Sequence, residues 1–159
     1  MRFWLRGDHE GCRNDAERAL SINPGYHLAA EDLGLQKVFG GQIEQGVSEI
    51  EAILEQMPEQ PITPYRLSIL GIAYALLGDM TKARNYALDG YERKPLVRLH
   101  ALAYAAASSD NEEIVGSPDF RTMMKQHSLS PQDASRFPFA KEADGQMLVA
   151  LLHRASAQD

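Results

Sequence analysis

Small and apolar residues recur along this chain at helical spacing, in three blocks that each close on a proline. Counting back from Pro95 gives Gly78, Ala83, Ala87 and Gly90. The same distances back from Pro58 give Gly41, Gly46, Ile50 and Ile53, and from Pro24 they give Gly7, Cys12, Ala16 and Ala19. A Leu-Gly pair also returns, as Leu33-Gly34 and Leu70-Gly71. Pro24 and Pro58 are 34 residues apart and Pro58 and Pro95 are 37 apart. Self-similarity at such a period is the mark of a repeat array. Small residues mark where helix backbones approach closely, and proline cannot continue a helix.

The three-residue excess falls in PEQPITP, where two prolines forbid helix and lengthen the connection. Thr63 before Pro64 reads as an N-cap with proline at the first helical position. The pattern predicts helices over 8–22, 26–39, 42–57, 64–77, 80–94 and 97–108. Asp8 and Asp79 follow glycine turns and are expected to cap the helices that start there.

Beyond residue 108 the register fades. Leu99, Leu102, Ala103 and Ala106 give one apolar face, and Asp110-Asn111-Glu112-Glu113 resembles a capping box that Gly116-Ser117-Pro118 stops early. Ser117-Pro118-Asp119 and Ser130-Pro131-Gln132-Asp133 read as helix starts and predict short helices near 118–127 and 131–136. In ADGQMLVALLHRASA, Met147, Leu148, Leu151, Leu152 and Ala155 fall on one stripe of an amphipathic helix over 143–156. The fold expected is all-α, a solenoid of antiparallel helix pairs with a variant helical C-terminal cap. Its parts are repeats over 1–108 (1–25 partial, 26–60, 61–95, 96–115 degenerate) and a cap over 116–159.

The chain has 159 residues, enough for a sizeable core, and its 44% apolar and 24% charged content is ordinary for a globular protein. A net charge of −6 leaves no basic footprint for nucleic acid and no attraction to anionic lipid. Cys12 is the lone cysteine, so there is no intrachain disulfide and no multi-cysteine metal site, which fits a reducing compartment. No apolar run approaches the ~20 residues of a membrane span. MRFWLRGD lacks the apolar core of a signal peptide, so the location expected is cytoplasmic.

The block LGIAYALLGDMTKARNYALDGYERKP carries Leu70-Gly71, Tyr74, Ala83, Ala87 and Pro95 on the spacing of a tetratricopeptide (TPR) repeat, and the repeats resemble TPR units. More narrowly, FWLRGDHEGCRNDAERALSINP, AYAAASSDNEEI and SPDF are similar to the TPR tails of bacterial signalling proteins. Those tails follow adenylate cyclase-type catalytic domains or DNA-binding regulator domains. The likeness covers about residues 3–120 well and the rest loosely. No cyclase domain or helix-turn-helix reader precedes the repeats in this sequence, so what the resemblance implies is the tail's role, a TPR-like superhelix that contacts another protein. The first copy lacks its first helix, which leaves Phe3, Trp4 and Leu5 as a surface for self-association or for a partner, or marks the tail of a longer ancestral protein.

In a TPR array the first helix of each pair lines a concave face. Here the resemblance assigns Leu28, Glu31, Leu35, Val38 and Phe39 from one unit to that face. The next unit supplies Tyr65, Ser68, Ile72, Ala75 and Leu76, and the last pair begins with Leu99 and Leu102. Such an apolar face suits an amphipathic helix or hydrophobic peptide. The more common use of such residues is core, so the 143–156 helix is the first candidate to fill the face from within, ahead of a peptide or a second copy of the chain. TPR modules that clamp acidic chaperone tails present lysine and asparagine on this face. Glu31 and Ser68, then Leu35 and Ile72, stand there instead, which speaks against a carboxylate clamp.

Chemistry-bearing residues form no motif. The histidines (His9, His27, His100, His127, His153) share no ligand spacing, and H-E-x-x-H, G-x-G-x-x-G and G-K-[ST] do not occur. Cys12 reads as a buried structural thiol, and Asp110, Glu112 and Glu113 as a helix N-terminus. The sequence therefore points to a non-catalytic scaffold with no cofactor and no metal, whose partner is an unidentified protein or peptide, or a second copy of itself. The alternative is a small helical ligand-binding protein or enzyme using the 110–140 region.

Overall fold

A computed structural model describes residues 7–157, and the expectations for Phe3, Trp4 and Leu5 lie outside it. The described chain is all-helical. Its elements are α1 (His9–Ile22), α2 (His27–Phe39), α3 (Ile43–Gln56), α4 (Thr63–Leu76), α5 (Met80–Arg93), α6 (Arg98–Ser108), α7 (Glu112–Val115) and α8 (Pro118–Gln126). A 3-10 helix (Pro131–Arg136) and α9 (Glu142–Ser156) follow. No strand occurs among the described residues.

Gly7, Gly41 and Gly78 have φ of +64°, +85° and +82°, the only glycines with positive φ among the described residues. Each stands immediately before the residue that caps α1, α3 or α5. The chain thus turns through the same left-handed conformation at the three positions in register, where a side chain would be strained. Asp8 accepts from the Gly11 N–H at 2.8 Å and Asp79 from the Lys82 N–H at 3.1 Å, the caps the sequence predicted. At α3 the capping residue is Gln42, whose side chain makes no such bond.

The chain forms two compact units, one of residues up to Gln60 with Phe137–Glu142, the other of Pro61–Arg136 with Ala143 onward. In the first, α1 packs on α2 and α2 on α3. A Cβ on Gly46 would lie 2.6 Å from the Gly34 carbonyl oxygen and 2.7 Å from the Val38 nitrogen, so α2 and α3 touch backbone to backbone. Lys37 pairs with Glu49 across the same two helices. Phe39 at the end of α2 stacks on Phe137 at 5.6 Å and meets Phe139 at 5.2 Å, and the Ala140 N–H donates to the Phe39 carbonyl at 2.8 Å.

In the second unit α4, α5 and α6 pack mutually. Every residue of α4 except Tyr65 is buried, which makes it the centre of this core. A Cβ on Gly71 would sit 2.7 Å from the Ala87 Cβ, and one on Gly90 would sit 2.8 Å from Ser68 Oγ. These pairings run in opposite sequence directions, so α4 and α5 are antiparallel. Tyr74 and Tyr86 stack at 5.7 Å beside them. Ser117 and Asn111 cap α8 and α7 through the N–H groups of Phe120 and Ile114.

Two local expectations are corrected. Thr63 is not an N-cap: α4 begins at Thr63 itself after Ile62, and Thr63 is buried. Met147 does not join the buried stripe of α9. It is 44% exposed, while Leu148, Leu151, Leu152 and Ala155 are buried, so the inward face is narrower than the apolar pattern suggested.

Candidate functional site

The residues assigned to a concave face are mostly interior. Leu35, Val38, Phe39, Ser68, Ile72, Leu76 and Leu102 are buried, and so is Glu31, at 5% exposure. Leu28 is 57% exposed, and Tyr65 and Leu99 are half-buried, so these three side chains of the set reach solvent. In the first unit, Phe39 is covered by Phe137 and Phe139, a segment outside the terminal helix that the sequence offered as an internal filler. α9 belongs almost wholly to the second unit, where its buried leucines lie.

Ser68 and His100 join α4 to α6. Ser68 Oγ lies 2.7 Å from His100 Nδ1 with both side chains buried. Burial, with the Lys94 charge, lowers the His100 pKa, so the ring is held neutral. Both side chains are buried, so this is an internal polar tie.

One opening in the second unit is marked by no sequence motif. A cavity of about 470 Å³ is walled by Leu88, Tyr91 and Glu92 of α5, Tyr104 of α6, Glu113 and Ile114 of α7, and Asp119, Phe120 and Met123 of α8, with Ser117 between the last two helices. Its aromatic side is one connected group. Tyr91 and Tyr104 stack at 5.8 Å with planes 11° apart, and Phe120 meets Tyr104 edge-on at 6.0 Å. Burial and the Glu92 charge raise the Tyr104 pKa, so its phenol stays protonated. Glu92, Glu113 and Asp119 stand at the exposed margin, and none forms a salt bridge among the described residues.

The sequence did hold one signal for this cavity. The core face of α5 is Ala83, Ala87 and Gly90, yet Leu88 and Tyr91 put a second apolar stripe on an otherwise polar helix. A smaller cavity of about 190 Å³ lies nearby, where Val115, Phe120, Met124 and Leu129 meet Ala155 of α9 beside Arg121 and Lys125.

No group of three His, Cys, Asp or Glu among the described residues could hold an ion. Cys12 is buried with Sγ 3.9 Å from the Asp32 carbonyl, and burial raises its pKa, so the thiol is not activated. No helix among the described residues is long and apolar enough to cross a membrane. No protein-family model, no curated protein and no solved structure matches this chain.

Proposed function

We propose that this protein is a non-catalytic, TPR-like scaffold that binds another protein, in the cytoplasm of a bacterium and in a signalling or regulatory setting. The observation that carries the reading is the shared left-handed turn at Gly7, Gly41 and Gly78, with Gly46 of α3 meeting α2 and with Ala87 and Gly90 of α5 meeting α4. That geometry fits an array of antiparallel helix pairs, and such arrays act through complementarity of surface. The lone buried thiol fits a reducing compartment.

Within the second unit, the accessible members of the predicted face are Tyr65 on α4 and Leu99 on α6. Affinity capture followed by mass spectrometry should compare wild type with Tyr65→Asp plus Leu99→Asp. Loss of specific partners from the variant, at unchanged melting temperature, supports this face. Recovery of the same partners by both proteins removes it. Sedimentation equilibrium separates a second copy of the chain from a foreign partner.

A second reading, a helical protein that binds a ligand through the 110–140 region, is favoured by one observation: two cavities of the second unit draw walls from α7 and α8. Melting-temperature screens against nucleotides, metals and small organic ions distinguish it, since a scaffold gains nothing from them.

A further inference from the structure

The cavity between α5, α6, α7 and α8 combines two features. One wall is a connected surface of Tyr91, Tyr104 and Phe120. The rim carries Glu92, Glu113 and Asp119, while none of its described lining residues is cationic. Helix electrostatics account for part of the rim. Glu113 and Asp119 stand in first turns, where carboxylates are favoured by the free N–H groups. Glu92 is placed oppositely, one residue from the end of α5, where the helix carbonyls repel a carboxylate. No described salt bridge compensates it. Glu92 is exposed beside the tyrosine cluster, so its carboxylate is open to a cation arriving from outside.

We propose that this cavity receives the guanidinium of an arginine in a partner peptide, with the arginine's apolar neighbours on Leu88 and Ile114. Leu88 is 36% exposed, leaving apolar surface free for such a contact. Guanidinium is planar and weakly hydrated, so it stacks on tyrosine faces while its N–H fork reaches carboxylates. The volume lies within the ~300–1,000 Å³ of sites that enclose small groups. The net charge of −6 adds a long-range attraction for a basic segment. This inference rests on the protein-binding reading and names the chemistry of the partner.

The test is a titration of the full chain, followed by amide NMR, with acetyl-Leu-Arg-Leu-amide and with the same peptide carrying neutral citrulline in place of arginine. The arginine peptide should shift amides of residues 88–92, 104 and 113–123, and the citrulline peptide should bind about tenfold more weakly. Glu92→Gln alone should weaken the arginine peptide severalfold, and Glu92→Gln, Glu113→Gln and Asp119→Asn together about tenfold or more. Should the triple variant lose its fold, the single variant and the citrulline comparison still decide. Equal binding of the two peptides, or shifts elsewhere, overturns the proposal. Arginine methyl ester binding as tightly as the peptide overturns it in favour of a small-molecule cation site. The protein-binding reading itself fails separately, if affinity capture with the wild type recovers no specific partner.

Discussion

Ser68 Oγ and His100 Nδ1 lie 2.7 Å apart with both side chains buried, at 0% and 3% exposure, so α4 and α6 are joined by a polar contact that water does not reach. Burial first, and the Lys94 charge second, lower the folded pKa of His100 from its ordinary 6.5. The unfolded chain therefore binds the proton that the folded chain refuses. Stability from this site is complete above the unfolded pKa and falls as pH drops below about 6.5 toward the lowered folded value. Urea unfolding at pH 7.5 and 5.0 should show the wild type losing stability, and His100→Gln losing less. An identical pH slope in the two proteins would rule out His100 as the cause. Ser68→Ala should cost about 1–3 kcal/mol at pH 7.5, because the ring nitrogen is left unpaired in the interior.

Two glycines separate crowding from backbone strain. Gly71 is helical, and a Cβ there would lie 2.7 Å from the Ala87 Cβ and 3.1 Å from its backbone, so Gly71→Ala forces α4 and α5 apart. Gly78 has φ of +82° and open space around a Cβ, so Gly78→Ala is strained without a clash. Overpacking of this kind costs about 1–3 kcal/mol, and a left-handed non-glycine residue about 1–2 kcal/mol. Adding Ala87→Gly should restore much of the Gly71→Ala loss and none of the Gly78→Ala loss. Thermal unfolding of the four proteins checks this, and equal rescue of both would refute the distinction.

What could be read from the sequence follows from which forces are local. The prolines, the small-residue register and the capping residues are short-range signals, and the first six helices fall within one or two residues of where those signals put them. Ser117 and Asn111 likewise cap the short helices that follow the register's loss. Burial by distant segments was not legible. Nothing near Phe39 says that Phe137 and Phe139 will cover it, and the apolar pattern that suggested an open face is the same pattern a core requires. The tyrosine and carboxylate cavity was missed for a related reason. Its walls come from four helices separated by up to 35 residues, with no spacing that a motif could register.

Asp133 predicts the acid limit of the second unit. Its carboxylate is buried and accepts two bonds from Arg98 Nη2 at 2.8 Å and one from the Ser130 N–H at 2.9 Å. Burial pushes its pKa up, but the Arg98 and Ser130 hydrogen bonds and the Arg98 and Arg136 charges outweigh it, and the net shift is downward from 3.8. A lowered folded pKa gives stability that is complete well above 3.8 and is lost as pH falls through and below that value. Asp133→Asn should cost about 1–3 kcal/mol at neutral pH, with Arg98 partly exposed and so partly rehydrated. It should also flatten the acid limb below pH 4 in a circular-dichroism titration. An unchanged acid limb would mean that other carboxylates set it.

The segment Phe137–Lys141 is tied to the first unit by more than its two rings. His9 Nε2 donates to the Pro138 carbonyl at 2.7 Å, and Lys141 Nζ donates to the Gly41 carbonyl at 2.8 Å. The Ala140 N–H reaches the carbonyl of Phe39, the last residue of α2. That carbonyl stands at a helix end, where no backbone N–H of the same helix is left to satisfy it. Phe137 and Phe139 are half-buried, so replacing both by alanine should remove about 2–4 kcal/mol of apolar contact, less than two fully buried phenylalanines would cost. The loss should be local. Hydrogen exchange at Val38–Gly41 and at Ala140 should accelerate by at least about tenfold, while the α4 amides in the second unit keep their protection. Uniform acceleration across both units would show that the segment supports the whole chain and not the end of α2.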